Sequence, residues 1–152
     1  MSGKENWNKY DEVVKKIDSA RTSGLSITTN MYTYIAGATG LDASMPPWVQ
    51  EGGYEKWAER LQDSKIRRRV LKEMTNPTDE WENLMYSAGT PDNLLLVGFK
   101  NDSLRHYTGK TLTQVAKIHG KSPEETAMDL VIADGSRVGT VYFLMSEENI
   151  KK

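Results

Sequence analysis

Cysteine is absent from the 152 residues. That removes disulfides, thiolate metal sites and a cysteine nucleophile together. Histidine is nearly absent. His106 and His119 stand thirteen residues apart, with no H-x-H or H-E-x-x-H spacing around them. An excess of one charge is also missing: 20 Lys+Arg against 21 Asp+Glu give a net −1. Nothing in that balance points to the clustered basic surface that binding nucleic acid requires. No apolar run approaches the ~20 residues of a membrane span. The polar start, residues 1–9, has no signal-peptide apolar region. The compartment stays open, with the cytoplasm slightly favoured.

What is present suits a globular domain: 38% hydrophobic residues with 27% charged, a balance unlike that of a disordered chain. Tyr10, Val13, Val14, Ile17 and Ala20 recur at helical spacing, predicting a helix over 10–22 that Ser23-Gly24 stops. Residues 25–31 then alternate: Leu25, Ile27, Thr29 and Met31 fall on one side, as in a strand. A helix, one glycine and a strand set the rhythm of an α/β protein. Residues 35–53, rich in Gly and Pro, read as a long loop of the kind that lines sites. Residues 54–74 read as a helix jointed near Asp63 and ended by Asn76-Pro77, with a short helical turn around Trp81, Leu84 and Met85. Residues 93–99 read as a strand buried on both faces. Two helices carry start signals, Thr111-x-x-Gln114 and Ser122-Pro123-x-Glu125. Gly120 and Asp134-Gly135 end them. A third strand is expected over 138–145. Ser146 then caps a last helix, whose acidic first turn suits the helix dipole.

Candidate chemistry is sparse. His119 at a helix end is better explained by the dipole than by metal or base work. Lys65, Arg67, Arg68, Arg69 and Lys72 read as a solvated helix face. Glu124/Glu125 and Glu147/Glu148 are explained by capping. Gly37-Ala38-Thr39-Gly40 lacks the Gly-Lys-Ser/Thr ending of a phosphate loop. Tyr32 and Tyr34 at the end of the first expected strand, with Tyr142 and Met145 at the end of the third, stand where parallel α/β proteins bind ligands. Aromatic core packing is the competing reading.

Three stretches, in order, resemble the N-acyl-D-amino-acid deacylases (D-aminoacylases) of the amidohydrolase superfamily. Gly3-Lys4-Glu5-Asn6-Trp7 leads through the first helix to Asn30-Met31-Tyr32-Thr33-Tyr34-Ile35-Ala36-Gly37-Ala38-Thr39. This is similar to a strand ending D-x-Y-P-Y-x-A-G-x-T, with Asn30 and Thr33 in place of Asp and Pro. Gly109-Lys110-Thr111-Leu112 and Ile118-His119-Gly120-Lys121-Ser122-Pro123 resemble the family's helix pair. Residues 141–150 (Val-Tyr-Phe-Leu-Met-Ser-Glu-Glu-Asn-Ile) resemble the strand and helix before its catalytic aspartate.

The resemblance implies an α/β fold: a fragment of a (β/α)₈ amidohydrolase barrel carrying a small α+β insertion domain. Residues 1–40 would give a barrel helix and strand, 41–103 the insertion, and 104–152 barrel helices, a strand and the start of the next helix. The two barrel strands would be 25–31 and 138–145. It further implies that zinc, its histidines and the catalytic aspartate belong to a parent chain on either side. This piece would hold no metal ligand and no catalytic residue. Tyr32, Tyr142 and Met145 are its implied substrate-pocket residues. The implied partners are the rest of the parent chain and an N-acyl-D-amino acid, with no nucleic acid and no membrane. Isolated, the piece would be inactive, and its exposed strand edges would pair in a homodimer or a rearranged sheet. The chain starts almost on a helix and stops within another, which fits a cut piece and a small domain with a frayed end equally. The competing class is a stand-alone, non-catalytic ligand- or protein-binding α/β module.

Overall fold

Helix α1 spans Tyr10–Thr22, the predicted range, and ends where Gly24 takes φ 94°, a conformation open to glycine at no steric cost. Two turns of tighter helix, Lys4–Lys9, lead into it. The computed structural model describes residues 1–152 except residue 77. The two chain ends are tied together. Trp7 Nε1 donates to the Leu144 carbonyl at 2.7 Å, and Asn149 Nδ2 donates to the Trp7 carbonyl at 2.8 Å.

After α1 the expectation fails. Residues 25–34 form no strand, although their side chains alternate. A strand exists only as part of a ladder, and among the described residues no neighbouring chain runs beside this one. Met31 and Tyr32 remain 60% and 59% exposed.

The sheet assembles elsewhere. Strand β1 is Gly37–Gly40, inside the expected loop. Strand β2 is Leu94–Gly98 and β3 is Gly139–Tyr142, shorter than the predicted 138–145. The order is β1-β3-β2 and both pairings are antiparallel, with Gly37 and Leu94 each opposite Tyr142. The parallel arrangement of two barrel strands is therefore not what these residues form. Periodicity reports which side chains share a face but not strand direction. β2 is also not buried on both faces. Leu94 and Leu96 are inside while Val97 is 42% exposed, as expected of an antiparallel sheet with one wet side. Gly98 and Gly139 let the two strands close tightly beside a bulge: a Cβ on Gly139 would lie 3.2 Å from Gly98 Cα.

The rest of the expected loop holds two short helical pieces, Leu41–Ser44 and α2 (Pro47–Gln50), whose first residue is proline. The joint near Asp63 is real. α3 is Tyr54–Arg60, α4 is Ser64–Thr75, and Asp63 Oδ1 accepts the Lys65 and Ile66 amides. Asn76 caps α4. Pro77, expected to help end it, lies outside the described residues. α5 (Leu84–Ser87) starts later than Trp81, at its Asn83 cap. α6 (Leu112–His119) and α7 (Pro123–Asp134) carry both predicted capping boxes and both left-handed glycine ends. α8 (Glu147–Lys151) starts at Ser146, whose Oγ accepts the Asn149 amide.

The core gathers on the inner face of the sheet. Leu41, Val49, Leu61, Val70, Leu112 and Leu130 are essentially inaccessible there, as are Leu94, Leu96 and Tyr142. Residues before and after position 103 contribute to this one cluster.

A partly buried carboxylate joins α4 to α7. Asp129 accepts from Arg67 Nη2 at 2.7 Å and Lys121 Nζ at 2.6 Å. Burial works to raise its pKa, but the hydrogen bonds and charges of Lys121 and Arg67 outweigh it and hold the group below the ordinary carboxylate range. As pH falls, the unfolded carboxyl (about 3.9) protonates first, so the stabilisation is complete above that value and is lost on descending through the folded value. Asp129→Asn is expected to cost about 1 kcal/mol near neutrality. The gap from the parent protein should close as acid is added, as read by urea unfolding at a series of pH values.

Candidate functional site

Two of the three residues singled out by the resemblance meet at one place. Tyr32 and Met145 line a groove of ≈ 330 Å³ between α1 and α8, together with Val13, Val14, Ile17 and Met31. Tyr32 also packs edge-on against Tyr34, ring centres 5.7 Å apart. The wall is largely apolar, and its polar side chains are Tyr10, Tyr32, Thr29, Asn30, Ser146 and Asn149. Among the described residues, no Asp, Glu, His, Lys or Arg side chain lines it. Such a surface can hold an apolar body.

Tyr142 lies apart from them. It sits on the central strand with its side chain fully buried. Its hydroxyl bonds to the Gly40 carbonyl at 2.9 Å and to Ser44 Oγ at 3.1 Å. Burial pushes its phenol well above the usual range. The expected common strand edge does not form, because the sheet is antiparallel and β3 ends at Tyr142. Met145 lies beyond, in a bridge with Ser2.

Metal chemistry finds no fit. Among the described residues, no three His, Cys, Asp or Glu side chains converge as a site for an ion, and a catalytic zinc needs three protein ligands. The two histidines flank Tyr107. His119 Nε2 is 2.9 Å from its hydroxyl, and the His106 ring centre is 3.9 Å from the Tyr107 ring centre. The basic stretch on α4 is divided in use. Arg67 turns inward to Asp129, while Arg69 binds Glu73 and lies 4.0 Å over the Trp48 ring. Among the described residues, no helix is long and apolar enough to cross a membrane.

Val13, Val14 and Ile17 were legible as one helix face, but their spacing does not say what that face meets. It is groove wall, since no residue of α1 is buried.

No family model matches the sequence, and no curated protein does. Solved structures do match. An N-acyl-D-glutamate deacylase from Bordetella bronchiseptica, complexed with zinc and a phosphonate inhibitor, aligns at TM-score 0.54 and 19% identity. A D-aminoacylase described as defining a novel subset of amidohydrolases aligns at 0.53 and 20%, and so does a D-aminoacylase with a binuclear metal centre. Each alignment covers 99% of this chain and 21% of the other. The chain thus spans about a fifth of these enzymes and shares the fold of that fifth, so the likeness to D-aminoacylases read from its motifs is carried by its three-dimensional structure as well.

Proposed function

We propose that this chain is a portion of a metal-dependent amidohydrolase that cleaves the amide bond of N-acyl-D-amino acids, and that it supplies pocket wall but no reacting group. The observation that carries the reading is the fold likeness over 99% of the chain to deacylases of that class. The ordered motifs at 30–39, 109–123 and 141–150 support it. In this reading residues 41–103 are the insertion, and 1–40 with 104–152 belong to the barrel. Tyr32 and Met145 face the substrate, while Tyr142 acts from the core. Zinc and its ligands belong to the remaining four-fifths.

The test is a graft. Replacing the matching fifth of a D-aminoacylase with residues 1–152 is expected to give a chimera that binds zinc and hydrolyses N-acyl-D-amino acids. Tyr32→Ala in that chimera should raise KM about tenfold, the worth of one aromatic contact, with kcat little changed. The chain alone should show no hydrolysis, with or without added zinc. A chimera that folds and holds zinc yet turns over no N-acyl-D-amino acid counts against the reading. Hydrolysis by the chain alone overturns the assignment of all chemistry to the remainder.

One observation favours a second reading, a stand-alone non-catalytic binding module. Tyr32 and Met145 already share an open groove within this chain. Saturable binding of a small apolar ligand to the isolated chain, lost in Tyr32→Ala, is what that reading requires.

A further inference from the structure

Met145 is held from both sides by one residue near the opposite end of the chain. Just before it, the Leu144 carbonyl accepts two donors, Gly3 N at 3.1 Å and Trp7 Nε1 at 2.7 Å. A carbonyl oxygen has two lone pairs, so this acceptor is saturated. Just after it, Asn149 Nδ2 on α8 donates to the Trp7 carbonyl at 2.8 Å. Trp7 thus grips the residue before Met145 with its side chain and the helix after Met145 with its backbone. Met145 itself lies between two extended neighbours. It forms a bridge with Ser2 on one side, and its amide donates to the Ile35 carbonyl at 3.1 Å on the other. The local sequence makes this possible. Gly3 takes φ 83°, and a Cβ there would collide with the Glu5 carboxylate. Glycine lets the chain turn at once from the bridge at Ser2 into the tight helix Lys4–Lys9, which brings Trp7 round to Leu144. The Trp7–Leu144 bond is partly buried, where losing a partner matters more than in open water.

We propose that Trp7 is a positioning residue: it fixes Met145 in the groove that Met145 shares with Tyr32, and through Met145 it sets how tightly substrate is held. Asn149, which Trp7 also holds, lines the same groove, so the clamp reaches two residues of one wall. Trp7 itself is not among the lining residues and acts only through its hydrogen bonds. A flexible thioether makes a defined contact only where its backbone is fixed. The role in substrate binding rests on the deacylase reading; the placement of Met145 rests on the geometry alone.

Two measurements test it. In the D-aminoacylase chimera, Trp7→Phe keeps an aromatic ring and loses the N–H. KM is expected to rise about fivefold, the effect of one lost hydrogen bond, with kcat and zinc content unchanged. In a Met145→Ala background the same substitution should leave KM where Met145→Ala alone puts it, because Trp7 acts through Met145. An unchanged KM in Trp7→Phe overturns the proposal, and so do effects of the two substitutions that simply add. The second measurement needs no catalysis. In hydrogen exchange on the 152-residue chain, the Met145 amide should lose protection in Trp7→Phe. The Leu96 and Gly109 amides, which bond along the far edge of the sheet, should keep theirs. A Met145 amide that exchanges as in wild type overturns the proposal. Protection lost at all three amides overturns it equally, since Trp7 would then fasten the whole fold and not one residue. A chimera that turns over no substrate, together with a Met145 amide that responds alone, removes the deacylase reading and leaves the positioning of Met145 standing.

Discussion

Tyr142→Ala is expected to cost about 3–5 kcal/mol, the range for deleting a buried aromatic ring, which is a large part of the 5–15 kcal/mol typical of a whole domain. The ring is fully buried on the central strand, facing Gly37 on one neighbour and Leu94 on the other. Its removal opens a cavity where all three strands meet. Tyr142→Phe isolates the hydroxyl. It leaves Ser44 Oγ and the Gly40 carbonyl without their shared partner and should cost about 1–2 kcal/mol. The phenol supplies a second readout. Its folded pKa is raised, chiefly by burial and further by Asp42, so the unfolded chain loses the proton first. The stabilisation is whole below the unfolded pKa of about 10 and falls by about 1.4 kcal/mol per pH unit above it. Tyr142→Phe should flatten that alkaline slope in urea unfolding. In a spectrophotometric titration, one of the seven tyrosines should ionise only as the protein unfolds. A Tyr142→Ala protein within about 1 kcal/mol of wild type would contradict the core placement and return this side chain to the ligand surface.

The contrast between Tyr142 and Tyr32 shows what the sequence could carry. Helix limits were legible because they depend on near neighbours. Thr111 with Gln114, Ser122 with Glu125, Asp63 ahead of α4 and the glycines at 120 and 135 act within one turn of themselves. Strands depend on distant ones. Gly37-Ala38-Thr39-Gly40 has little strand propensity, with Thr39 its one strand-favouring residue, yet it forms β1 because β3 lies beside it and accepts the pairing. Residues 25–31 have the pattern and lack the partner. Tyr142 and Thr140 share one face by alternation, but alternation cannot say which face the helices will cover. The groove was half visible. Tyr32 and Met145 were singled out by the motifs and line it, while the spacing of Val13, Val14 and Ile17 showed a shared face without showing that the groove lies against it.

The second large effect is expected at Asp134, the last residue of α7. It is 3% exposed, and as a carboxylate it only accepts hydrogen bonds. Oδ1 takes the Asn101 amide at 3.0 Å, and Oδ2 takes the Lys100 amide at 3.2 Å and the Ser136 hydroxyl. Ser136 Oγ in turn accepts the Val138 amide at 3.1 Å. Val138 is held at φ 56°, a strained setting for a β-branched residue that persists only where the surroundings over-determine it. From there the Arg137 and Val138 carbonyls accept the Leu41 amide, which fixes the start of β3 against the end of β1. One carboxylate thus joins the exit of β2, the end of α7 and the entry to β3. Asp134→Ala strands two backbone amides and the Ser136 hydroxyl, and should cost about 2–4 kcal/mol. Asp134→Asn, which keeps one acceptor oxygen, should fall between. In a double-mutant cycle with Ser136→Ala the two losses should couple by about 1 kcal/mol or more, because they act on a single network. Hydrogen exchange gives the local view: the Lys100, Asn101 and Val138 amides should lose protection together in Asp134→Ala. If those amides stay protected and stability shifts by less than about 1 kcal/mol, the turn is held by the sheet pairing and not by this carboxylate.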